Sequence, residues 1–177
     1  NCEEARALLA EAGYENGEGF PVVEYLYNTS DAHKAVAEAL QYMWEEELGV
    51  KVTLNNQEWA AFLQTRKDGD YSIARNGWIA DYNDPISFLD MWMTGGGNND
   101  AQYSNEEYDS LIKEAKTTTD VKERMELLHK AEDKIIGEDN ALAPLYFYTQ
   151  KYMLADGIEG MYYCPLGYFF FGYTHQA

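Results

Sequence analysis

Positive charge, cysteine and long apolar runs are all scarce in this sequence. Its 31 aspartates and glutamates face only 13 lysines and arginines, a formal net charge of −18. A surface of that sign repels phosphate backbones and anionic lipid heads, so no nucleic-acid partner is expected and a membrane-surface role is disfavoured. No apolar run approaches the ~20 residues that a helix needs to span a bilayer. Cys2 and Cys164 stand far apart with no CxxC spacing, and they define neither a disulfide framework nor a compartment.

Catalytic and metal-binding motifs are missing as well. His33, His129 and His175 have no metal-ligand spacing, and neither GxSxG nor HExxH occurs. The run Asp81-Tyr82-Asn83-Asp84 begins like a calcium loop, but Ile86 stands where the glycine belongs and Trp92 where the closing glutamate belongs. Asp81 and Asp84 are also the residue type of a hydrolytic carboxylate pair, whose separation a sequence does not fix. The glycine-rich stretch Thr94–Asn99 reads as an exposed loop and lacks the Lys-Ser/Thr of a phosphate cradle. No catalytic residue, metal or cofactor is therefore expected. Residue 1 opens directly into an acidic, alanine-rich segment without the basic and apolar stretches of a leader. The expectation is a chain whose leader was removed, or a fragment.

What is present suffices for a folded core. The chain has 177 residues, 46% of them hydrophobic and 15% aromatic, with 15 tyrosines. Tyrosine joins a flat apolar face to a polar tip and serves both packing and binding. Asn1 is placed to cap a helix over Glu3–Ala12 that Gly13 stops. Pro21 leads into a strand, Val22–Tyr27, and Asn28-Thr29-Ser30-Asp31 has turn and cap chemistry. Val36, Leu40, Met43, Trp44 and Leu48 form a helical stripe ended by Gly49, and Val50–Leu54 alternates as a strand does. Strand, helix and strand make a βαβ unit with a parallel pair.

Further on, a helix is expected at Glu58–Lys67 and a strand at Tyr71–Arg75. Pro85 opens a short helix reaching Met91. Ser104 with Glu107 has the spacing of a capping box, and Asp120 that of a cap for the next helix. Leu142–Tyr148 reads as a strand. Gln150–Ala177 has no helical period but is rich in aromatics, and no internal repeat is visible.

Binding chemistry concentrates between residues 58 and 92, where Trp59, Trp78 and Trp92 accompany Arg66, Arg75 and Asp81. The plain alternative makes Trp78 a core residue, the arginines partners of surplus acid, and Asp81 a cap. Against it stands position. The run Arg75-Asn76-Gly77-Trp78-Ile79-Ala80-Asp81-Tyr82 follows directly on a strand, and open α/β sheets hold ligands in such loops.

Two stretches carry a family resemblance: Gln57-Glu58-Trp59-Ala60-Ala61-Phe62-Leu63-Gln64-Thr65-Arg66, and Ala74-Arg75-Asn76-Gly77-Trp78-Ile79-Ala80-Asp81-Tyr82-Asn83-Asp84-Pro85. Together with Tyr27–Asp31, His33-Lys34, Phe88-Leu89, Asn98-Asn99, Tyr103 and Ala143–Tyr148, they resemble the dipeptide, oligopeptide and nickel class of ABC-transporter solute-binding proteins. The likeness covers nearly the whole chain, and its Gly-Trp-x-Ala-Asp-Tyr stretch is specific.

The resemblance implies an α/β lobe of the type II periplasmic-binding-protein kind, a mostly parallel sheet flanked by helices with an aromatic C-terminal tail. Residues 1–149 would form the C-terminal ligand-binding lobe, and residues 150–177 would return to a first lobe that this chain lacks. It further implies an extracytoplasmic receptor, periplasmic or lipid-anchored, that captures oligopeptides and delivers them to permease subunits. By the same likeness Asp81 meets the peptide's amino group. Arg66, Arg75 and His33 meet its carboxylate end, the choice depending on peptide length, and Trp59 and Trp78 wall side-chain pockets. Charges at both sets of positions favour a peptide over nickel or sugar. The readings from other classes are a stand-alone peptide-sensing or interaction module and, third, a hydrolase.

Overall fold

In the computed structural model, which describes residues 1–177, the βαβ unit is formed. Strand β1 (Val23–Asn28) is followed by helix α2 (Asp31–Leu48) and strand β2 (Val52–Gln57), after a first helix α1 (Cys2–Glu11). Helix α3 (Trp59–Asp68) then leads to β3 (Ile73–Ala74). The sheet order is β2-β1-β3 and both pairings are parallel, with Val23 opposite Val52 and Leu26 opposite Ala74. The expected mostly parallel sheet flanked by helices is thus the architecture found. These elements belong to the first of two compact units, Asn1–Gly77 and Trp78–Ala177.

Alternation along β1 explains how the sheet is covered. Successive side chains point to opposite faces, so Tyr25 and Tyr27 pack with Ala37, Val50, Val52 and Trp44 on the side of α2. Leu26 points the other way, toward the face that α3 covers, where Phe62 is also fully buried. A strand enclosed on both faces explains why the run reads as nearly all apolar rather than alternating.

Two helix ends are set by chemistry legible beforehand. The Asn1 side chain accepts from the Glu4 N–H at the start of α1, and Gly49 ends α2 in the left-handed region at φ 68°. Gly49 has a second reason to be glycine: a Cβ there would lie 2.1 Å from the Asn16 carbonyl oxygen. Side-chain-free backbone lets the Glu15–Gly17 turn lie directly on the end of α2.

The second unit holds α4 (Ile86–Leu89), α5 (Glu106–Thr117) and α6 (Val121–Glu132), the last continuing as a π-helical turn at Asp133–Glu138. Its core joins Ile86, Met91, Trp92, Tyr108, Ile112, Leu127, Leu128 and Ile135. The Tyr108 hydroxyl donates to the Leu89 carbonyl at 2.6 Å, which satisfies the polar tip of a buried ring. Asp120 caps α6 as expected, its side chain accepting from the Glu123 N–H.

Three readings need correction. Helix α5 is capped by Asn105, which accepts from Glu107 and Tyr108 N–H, while the Ser104 hydroxyl accepts from Thr94. The extra residue before the helix puts the stronger cap in place and releases Ser104. The glycine loop is not wholly exposed either. Asn99 is buried, and its amide donates to the Trp92, Met93 and Tyr103 carbonyls while its oxygen accepts from Tyr103 N–H. Finally, Leu142–Tyr148 is not a strand. The second unit's only strand pairs are the short β4 (Ile158–Glu159) with β7 (His175–Gln176), and β5 (Tyr162–Cys164) with β6 (Tyr168–Phe170). A strand needs a partner's backbone, and none of these four offers an edge to residues 142–148.

The tail is an aromatic hairpin. Tyr162 lies opposite Phe170 and Tyr163 opposite Phe169, with ring centroids 5.8 and 4.9 Å apart. Tyr162, Tyr168, Phe170, Phe171 and Tyr173 are all exposed.

Candidate functional site

All three parallel strands end in residues that carry chemistry. Strand β1 ends in Asn28, and beyond it lie Thr29 and, in the first turn of α2, His33. Beyond β2 lie Glu58, Trp59 and, along α3, Arg66. Beyond β3 come Arg75 and Asn76. The Thr29 N–H donates to the Gln57 carbonyl at 2.9 Å, and its hydroxyl donates to Glu58 Oε1 at 2.9 Å, which ties the first two strand ends together. The Arg75 N–H donates to the Leu26 carbonyl at 2.8 Å, extending the β1–β3 ladder to the arginine itself. Parallel pairing thus delivers the loops to one edge of the sheet.

Side chains converge there. The Arg75 guanidinium approaches Asn28 Oδ1 at 3.4 Å, and Arg66 Nη1 donates to Asn76 Oδ1 at 2.9 Å. Arg66 also lies over the Phe62 ring, 5.1 Å from its centroid, and Phe62 stacks with the half-exposed Trp59 at 5.8 Å. A guanidinium over an aromatic face is attracted by the ring's electrons, which helps to fix its orientation. Burial holds the His33 imidazole below its ordinary value and the Arg75 charge adds to that, against a hydrogen bond with the Asn28 backbone. His33 and Arg75 are therefore electrostatic neighbours. His33, Arg66, Arg75 and Trp59 share the C-terminal edge of the parallel sheet.

The remaining two predicted residues belong to the second unit. Trp78 packs against its core, in keeping with the plain alternative, yet its indole N–H is buried without an acceptor. Asp81 is exposed, and its backbone N–H donates to the Ser87 hydroxyl at 2.9 Å. It is not the cap of α4. The N-cap position is Pro85, and the side chain that meets the start of the helix is Asp84: its carboxylate accepts from Ile86 N–H at 2.9 Å and from Arg124 Nη2 at 2.8 Å. The Arg124 hydrogen bond holds the Asp84 carboxyl below its usual range, against partial desolvation.

Sequence reasoning missed Asn28, Asn76, Ser87 and Arg124. Asn28 and Asn76 flank strand ends and were within reach of it. Nothing in the sequence joins Arg124 to Asp84, 40 positions away.

A parallel sheet flanked by helices, with charged and aromatic side chains gathered at its C-terminal edge, is the α/β arrangement of the type II periplasmic-binding-protein kind. Residues 1–100 match the family model for the middle region of bacterial extracellular solute-binding proteins, family 5. The chain belongs to that family. Its members work outside the cytoplasm, in agreement with the extracytoplasmic expectation. The chain is 42% identical to the periplasmic oligopeptide-binding protein OppA of Salmonella typhimurium over 158 residues, 89% of this chain and 29% of that protein. Among solved structures it resembles the Bacillus anthracis oligopeptide ABC transporter substrate-binding domain, at a TM-score of 0.86 and 31% identity, over 99% of this chain and 35% of that one. It also resembles Haemophilus influenzae OppA in complex with RPPGFSPFR, at a TM-score of 0.80 and 37% identity, over 90% and 31%. The chain therefore spans about a third or less of each of these three relatives.

Proposed function

We propose that this chain is the ligand-holding lobe of a receptor that captures oligopeptides outside the cytoplasm for an ABC importer. In this reading Asp81 takes the peptide's α-ammonium. His33, Arg66 and Arg75 take its carboxylate end, according to peptide length, and Trp59 and Trp78 wall side-chain pockets. Residues 1–149 form the ligand-binding lobe and 150–177 run back to a first lobe. The intact receptor, free or lipid-anchored, docks on permease subunits.

One observation carries the proposal. Cationic groups converge at the strand ends, while the Asp81 carboxylate stands exposed and the Ile86 N–H at the start of α4 is held by Asp84 instead. Fixed charges suit a ligand whose termini are constant and whose side chains vary, since backbone and termini then provide affinity without reading sequence. The protein performs no covalent chemistry in this reading. Asp84, half of the only carboxylate pair suggested by the sequence, is committed to Arg124 and to α4, which argues against a hydrolase.

The test is Asp81→Asn in the full-length protein, titrated with a free peptide and its N-acetyl form. Losing one member of an enclosed charge pair costs about 2–5 kcal/mol, so free-peptide binding should weaken by roughly 30-fold or more. Acetylation should weaken wild-type binding by a similar factor and Asp81→Asn binding little. Equal losses in the two proteins would show that the carboxylate and the amine are not partners.

A further inference from the structure

We infer that Arg124 is a positioning residue for the amine site, holding through Asp84 and Ser87 the backbone from which Asp81 presents its carboxylate. The inference rests on the reading of Asp81 given above.

Arg124 sits on α6 with its side chain 23% exposed and reaches two other elements. Its Nε donates at 3.1 Å to the Ala115 carbonyl in the last turn of α5, one of the carbonyls that a helix end leaves without an internal partner. Its Nη2 donates at 2.8 Å to Asp84. The same Asp84 oxygen accepts from Ile86 N–H, and the Asp84 carbonyl accepts from Ser87 N–H at 3.1 Å, so Asp84 starts α4 and sets its direction. Ser87 is buried on that helix, and its hydroxyl accepts from the Asp81 N–H. The chain of bonds therefore runs from α5 and α6 through Arg124, Asp84 and Ser87 to the backbone of Asp81.

Such a chain matters because of what Asp81 lacks. Helix α4 is only 4 residues long and has little stability of its own. The Asp81–Asp84 stretch has no regular structure. An exposed carboxylate on a loose loop would lose much of its interaction with an ammonium to ordering entropy, whereas a loop fixed in advance does not. Arg124 also places its positive charge on Asp84 rather than on Asp81, which leaves the Asp81 carboxylate as the open acceptor of the run. A lysine at position 124 would keep the Asp84 ion pair but not the forked reach to Ala115.

The experiment measures tri-alanine and N-acetyl-tri-alanine binding by calorimetry to wild type, Asp81→Asn, Arg124→Met, Arg124→Lys and Ser87→Ala, all in the full-length protein. The expected result is an acetylation penalty of roughly 30-fold in wild type. That penalty should fall to about threefold in Arg124→Met, with affinity for the acetylated peptide kept within about twofold, a loss typical of a displaced charge contact. Arg124→Lys should restore most of it, and Ser87→Ala should lower it to about tenfold. If Arg124→Met does not fold, the Ser87→Ala penalty decides. No acetylation penalty in wild type would remove the Asp81 reading and this inference with it. A penalty abolished by Asp81→Asn but intact in Arg124→Met and Ser87→Ala would overturn the positioning role alone. So would an equal weakening of both peptides, the mark of a purely structural arginine.

Discussion

In Asn1–Gly77 the central strand β1 has a neighbour on each edge and a helix over each face, and Tyr25, Leu26 and Tyr27 are all buried. In Trp78–Ala177 the comparably apolar stretch Leu142–Tyr148 has no neighbouring strand, and Phe147 is 96% exposed. Composition alone does not separate the two stretches. The first finds its cover within its own unit, from elements as far along the chain as β3; of the second, only Leu142 packs on its unit's core, and residues 143–148 stay exposed. Where the backbone is not tied by a sheet, the second unit uses side chains instead. Asn99 pins a loop, Tyr108 pins α4, and Arg124 with Asp84 pins the approach to α4. The first unit should therefore yield to loss of apolar volume, and the second to loss of polar anchors.

The largest contrast to test lies between Leu26 and Phe147. Leu26→Ala removes a fully buried side chain and leaves a cavity, at a cost of about 3 kcal/mol in a urea unfolding measurement. Phe147→Ser removes a larger ring, yet in this chain it should change stability by less than about 0.5 kcal/mol. Equal costs would mean that residues 142–148 have cover after all. Next comes Asn99→Ala, which strips four backbone groups of their shared partner. It should cost about 2 kcal/mol and raise amide exchange at Met93–Tyr103 before it does so in β1. Uniform acceleration in both units would break the distinction between their modes of support.

These contrasts also mark what the sequence could convey. The βαβ unit was legible because the α2 stripe, the Gly49 stop and the flanking strands are local patterns whose partners follow closely in the chain. Trp59, Arg66 and Arg75 were legible as binding-type residues crowded into residues 58–92, whereas His33 entered only through the family resemblance and its place beside Arg75 needed the fold. Leu142–Tyr148 was misread because apolarity states that a segment needs burial, not which surface provides it. The capping box at Ser104 was misplaced by one residue because Ser104 and Asn105 are both competent caps, and only the helix start decides between them. Arg124 was invisible because its partner lies 40 positions away, and a charge on a helix looks like any solvated charge until the fold sets Asp84 beside it.

The finest discrimination between the two units is by pH, because their titrating anchors respond in different windows. His33 of the first unit is held below its ordinary value by burial first and by the Arg75 charge second. The unfolded chain then takes up a proton near pH 6.5 while the folded one still resists. Stability is whole above that pH and falls as pH drops through the interval down to the folded value. Asp84 of the second unit is held below its usual range by the Arg124 hydrogen bond first, with the Ile86 N–H contributing. The unfolded chain here takes up its proton near pH 3.9, so this contribution is present above that value and is lost as pH falls through the folded one. Both act in the same direction, but the first unit starts to weaken some two to three pH units earlier. Amide exchange followed from pH 7.5 to pH 3 should show β1 and β2 losing protection first and α4 to α6 later. Arg75→Met should move the His33 ring titration upward and narrow the early window without touching the late one. Asp84→Asn should shrink the late window only, leaving the part contributed by Asp139, whose carboxyl is held low by the Tyr103 hydrogen bond. A single window common to both units, unmoved by either substitution, would show that neither anchor governs the unit it sits in.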